Sequence, residues 1–73
     1  MAKRSRVSFN HAFIRKLREV NGFSRSEFAR EIGLSGQTVY QIEAGKRVPS
    51  VKAIIKIMEV FPAVRVDSFF VIR

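Results

Sequence analysis

The sequence predicts an all-α domain, a compact bundle of about five short helices. Two observations lead there. Ser24, Ser35 and Ser50 each stand just before apolar residues at helical spacing, and Gly22, Gly33 and Gly45 stand where such helices would stop. Only the last ten residues carry any alternation that could suit a strand. The length of 73 residues allows a single small core, and an apolar content of 47% with seven Phe is enough to build one.

The elements follow in order. Residues 1–7, MAKRSRV, place Lys3, Arg4 and Arg6 in a stretch with little apolar content, which reads as a mobile basic arm. Such an arm could follow DNA phosphates or enter a minor groove, or it could simply solubilise the chain. The first helix is expected from Ser8 to Gly22, capped by Ser8 or Asn10, with Phe13, Ile14, Leu17 and Val20 as its apolar stripe. Arg18 falls at the inner edge of that stripe and needs a partner, because an unpaired buried cation is costly. His11 precedes the stripe and is the single histidine in a chain without cysteine, so it reads as a surface or boundary residue and not as a metal ligand.

A second helix should begin at Ser24, where Glu27 three residues on completes a capping box. Phe28, Ala29 and Ile32 supply its apolar face. Ser35 caps a third helix, in which Val39 and Ile42 point inward. A fourth starts at Ser50, carries Val51, Ile54, Ile55, Ile57, Met58 and Phe61 on a broad apolar face, and ends at Pro62. Residues 64–73, VRVDSFFVIR, stay open: Asp67 could cap a short fifth helix, or the segment could form an extended strand.

Helix, short turn with Gly, helix is the arrangement that sets a recognition helix in a DNA major groove. Charge agrees with that partner. Fourteen Lys and Arg against six Asp and Glu give a net charge of +8, which favours a polyanion such as double-stranded DNA. With Val39 and Ile42 inward, Gln37, Thr38, Tyr40 and Gln41 are left to face outward. Gln37 and Gln41 lie one turn apart, and Gln can bond an adenine edge through both amide atoms. Thr38 could meet a thymine methyl or a phosphate, and Tyr40 a thymine methyl, the DNA backbone or the fourth helix. Ser35 could donate to a phosphate while capping, and Lys46 and Arg47 are placed to follow the backbone beyond the third helix.

From Ile14 to Phe70 the chain resembles the Cro and CI repressor family of helix-turn-helix proteins, also called the xenobiotic response element family. The segments IRKLRE, FSRSEFAREIGLS, TVYQIEAGKRVPS and VDSFF carry the resemblance in order and spacing. It implies the lambda-repressor-like fold of five helices, with the second and third reading DNA. It also implies that Arg18 pairs with Glu43 as a structural ion pair, that Arg25 contacts a phosphate, and that Gln37 and Gln41 read bases. Two departures stand out. Gly36 occupies the first exposed position of the recognition helix, where relatives often carry a base-reading side chain. Pro62 stands in a linker where Gly is usual, just before the common dimer-forming region.

The expected unit is therefore a helix-turn-helix DNA-binding domain over residues 8–73, with residues 64–73 as a dimerisation element presenting Phe69, Phe70 and Ile72. The expected function is a Cro-like phage or plasmid repressor that binds a near-palindromic operator as a homodimer. An antitoxin or other protein-binding module of the same fold, or the DNA-binding half of a longer repressor, are the alternatives. Catalysis is not expected, since no Gly-rich phosphate loop or nucleophile–base set is present. No cofactor, metal, small-molecule ligand or membrane is expected as a partner, and the cytoplasm is the expected location.

Overall fold

Every α-helix starts at a polar side chain that accepts a backbone N–H. In the computed structural model, which describes residues 7–72, Asn10 accepts from Phe13, Ser24 from Glu27, Ser35 from Thr38 and Ser50 from Ala53. These caps open α1 (His11–Val20), α2 (Arg25–Ile32), α3 (Gly36–Glu43) and α4 (Val51–Val60). Gly33 and Gly45 take left-handed angles, φ 75° and 77°, and the residues after them bond back across the helix ends. Leu34 N–H reaches the Ala29 carbonyl at 2.8 Å, and Lys46 N–H that of Gln41 at 2.9 Å.

The chain is mostly helical but not all-α. Val7–Phe9 forms β1 and Phe70–Ile72 forms β2, and the two pair antiparallel with Val7 opposite Ile72 and Phe9 opposite Phe70. Both readings left open for the C-terminal segment hold in part. Val66–Phe69 makes one 3-10 turn with no side-chain cap, and the strand follows it directly. The expected fifth α-helix is thus reduced to that turn. Ser8 lies in β1, which leaves Asn10 as the cap of α1. Val7, expected in the basic arm, belongs to β1; Lys3, Arg4 and Arg6 lie outside the described residues.

The core gathers Ile14 of α1, Phe28, Ala29 and Ile32 of α2, Val39 and Ile42 of α3, Ile54 and Ile57 of α4, and Phe69. Phe69 is fully buried, with Phe13 edge-on at 5.4 Å and Phe9 stacked at 6.3 Å, and its carbonyl accepts the Asn10 N–H at 2.7 Å. The 3-10 turn therefore closes the bottom of the core beneath α1. Val20, expected on the inner stripe, is exposed, because it stands well off the line that runs through Ile14 and Arg18. Val51 and Ile55 likewise face outward, while Ala53 is buried on α4 beside Ile54 and Ile57. Among the described residues no helix is long and apolar enough to cross a membrane.

Candidate nucleic-acid interface

The interface is built on the α2–α3 unit. The reciprocal box between Ser24 and Glu27 fixes the start of α2: Glu27 N–H donates to Ser24 Oγ at 3.1 Å, and Ser24 N–H to Glu27 Oε1 at 2.8 Å. The backbone N–H of Ser24, and after it the Ser24 hydroxyl, hold the Glu27 carboxyl below its ordinary range. The turn Gly33-Leu34-Ser35 then swings the chain into α3, whose Val39 and Ile42 are buried.

Anchoring Val39 and Ile42 decides what the other face shows. Gln37 is exposed, Gln41 and Thr38 are half-buried, and Tyr40 is 47% exposed. Gly36 packs close to α2, yet a Cβ there would meet Ser26 Oγ at an ordinary 3.6 Å. The glycine is not demanded by the backbone. It leaves the first position of α3 without a side chain, so Gln37 is the first that reaches outward.

The end of α3 is tied to α1 in two places. Arg18 Nε donates to Glu43 Oε2 at 2.6 Å and its Nη2 to Oε1 at 3.1 Å, while Nη1 reaches the Phe23 carbonyl at 3.0 Å. All three nitrogens of the guanidinium are used, and Glu43 raises the pKa of Arg18, chiefly through the hydrogen bond. The second tie is His11, whose Nδ1 lies 2.8 Å from the Ile42 carbonyl oxygen. That oxygen can only accept, so Nδ1 carries the proton. His11 is expected from the sequence only as a surface or boundary residue, since no local pattern points across the 31 residues to its partner.

The residues expected at phosphates are placed as follows. Ser35 is occupied as a cap, and its hydroxyl also bonds that of Thr38 at 2.9 Å, which leaves one hydroxyl proton of the pair for another acceptor. Lys46 and Arg47 are exposed just beyond α3, and Arg47 Nη1 donates to Gln41 Oε1 at 3.4 Å. Arg25 does not stand alone at the start of α2. Its Nε donates to Glu43 Oε1 at 3.4 Å and its guanidinium lies over Tyr40, 5.2 Å from the ring centre.

Residues expected at a dimer contact divide in two. Phe69 belongs to the core and presents no surface. Phe70 and Ile72 are 38% and 72% exposed, and they share one face of the ribbon with Phe9 and Val7, the latter 65% exposed.

Comparison with known proteins agrees with this geometry. The family described as helix-turn-helix matches residues 14–69. An uncharacterised HTH-type transcriptional regulator of Archaeoglobus fulgidus is 34% identical over 58 residues, covering 80% of this chain and 81% of that protein. A second such regulator, of Methanocaldococcus jannaschii, is 33% identical over 54 residues, covering 74% of this chain and 80% of its own. The chain therefore belongs to the helix-turn-helix family of the Cro/CI type.

Proposed function

We propose that this protein is a sequence-specific DNA-binding transcriptional regulator that acts as a Cro-like repressor. One observation carries the reading: α3 is fixed at its start by Ser35 and at its end by Arg18 and His11, while Gln37 and Gln41 remain on its outer side between cations. A rigid helix with amide side chains outward fits a major groove. Arg25 before it and Lys46 and Arg47 after it would meet phosphates on the two flanks, positioning the readers without specifying bases. Repression would come from covering a promoter.

The protein would bind as a homodimer to a near-palindromic operator, with half-sites about 34–36 Å apart. Phe70, Ile72 and Val7 give the ribbon an apolar face suited to a second copy. A partner protein, as in an antitoxin, would use the same face. Selection of binding sites from a random DNA pool tests the whole reading. A motif with two-fold symmetry at that spacing is expected. A single half-site would remove the dimer, and no enriched motif would remove sequence-specific binding.

A further inference from the structure

Arg25 is held by two neighbours that leave its working edge open. Glu43 bonds its Nε, and the Tyr40 ring lies under its guanidinium carbon. Neither Nη1 nor Nη2 of Arg25 bonds a described residue. Those two nitrogens carry parallel N–H groups that match two oxygens of a phosphate. Holding the side chain in this pose beforehand reduces the ordering needed on binding.

Beside the stack is a cleft of about 130 Å³ lined by Arg15, Arg25, Tyr40, Glu43 and Ala44. It has the volume of roughly four waters, enough for one phosphate group. Arg15 reaches it from α1 and is otherwise engaged in an exposed pair with Glu19 at 3.2 Å, a contact of little strength. Glu43 does not make the cleft anionic, since Arg18 already takes both of its oxygens. Two arginines, Arg15 and Arg25, line the cleft with one carboxylate, Glu43, and the balance is positive.

From this geometry we infer that Arg15 and Tyr40 join Arg25, already proposed to meet a phosphate, in one seat for a backbone phosphate of DNA. Tyr40 is a positioning residue that aims Arg25, and it reads no base. The inference rests on the DNA-binding function proposed above and assigns Tyr40 a different part in it.

Fluorescence anisotropy with the selected operator duplex and an unrelated duplex of equal length, across a salt series, tests the seat. Arg25→Ala should weaken both duplexes alike, by about tenfold, and lower the salt slope by about 0.9. Tyr40→Ala should weaken both about threefold, Tyr40→Phe should bind as wild type because the ring stays, and Tyr40→Ala should add nothing to Arg25→Ala. Arg15→Gln should also lower the slope, and an unchanged slope there would remove Arg15 from the seat. A Tyr40→Ala loss confined to the operator, or one that persists without Arg25, would make Tyr40 a base reader and overturn the inference. Wild-type protein that binds neither duplex would overturn the DNA-binding function itself. Wild-type binding with Arg25 and Tyr40 variants at wild-type affinity would overturn the seat alone.

Discussion

Arg18 and Glu43 face each other with two hydrogen bonds, 2.6 and 3.1 Å, at a place where the glutamate side chain is 5% exposed. Removing one charge of such a pair strands the other in a poor solvent. Glu43→Gln should cost about 3–5 kcal/mol, a large part of the stability of so small a domain. Replacing both residues with apolar ones of similar size should recover much of it. Urea or thermal melts decide this, and a Glu43→Gln protein that melts with the wild type would show that the pair contributes nothing.

Base preference should depend on Gln37 and Gln41. Changing either to Ala should lose about 1–3 kcal/mol on the preferred site and little on others. Lys46→Ala should instead weaken all sequences and lower the salt slope by about one. The bond from Arg47 to Gln41 Oε1 adds a distinguishing detail: Arg47→Ala should broaden the preference at the Gln41 base, because it frees the amide to turn. Binding curves on single-base variants of the operator give the readout, and a preference untouched by both Gln changes removes the assignment.

Neighbouring phenylalanines should behave in opposite ways. Phe69→Ala opens a hole in the core and should cost about 3–5 kcal/mol. Changing Phe70 and Ile72 together to Ser touches exposed positions and should leave the folded protomer intact. Sedimentation at micromolar concentration should then show two protomers for the wild type and one for the double variant. A wild type that remains a single protomer even on operator DNA ends the dimer reading.

The capping box makes part of the stability depend on acid. Glu27 has a lowered pKa in the folded chain, so its contribution is present above the ordinary glutamate value of 4.5 and is lost as pH falls through the lower folded value. Wild type should therefore melt above Glu27→Gln at neutral pH, with the gap closing in strong acid. A gap that stays constant from neutral pH down to pH about 2 would mean the carboxylate form plays no part.

What could be read from the sequence was local. Ser24, Ser35 and Ser50 announce helix starts because a cap and the backbone N–H it accepts from lie within one turn. The helix-turn-helix follows from them, and so does the outward position of Gln37. The β1–β2 ribbon was not legible, since three-residue strands joined across more than sixty positions leave no periodic trace. The same holds for side chains shared between helices. Arg18 announced its need of a partner by its place on the stripe, and the family resemblance named Glu43. Nothing in the spacing of Arg25, Tyr40 and Glu43 shows that a single carboxylate serves two arginines. Val20 and Ile55 misled for a simpler reason: apolar type suggests a buried face, but the angle to Ile14 and Ile54 decides it.

Pairing Val7 with Ile72 brings the two ends of the described chain to one point. A few added residues could join those strands as a hairpin, and the chain could be opened at the exposed Pro62-Ala63 step instead. Such a circular permutant would keep α1 to α4 in their order and would carry β2 ahead of β1. Fusion partners could then be attached at the far end of α4, leaving the ribbon free of attachments.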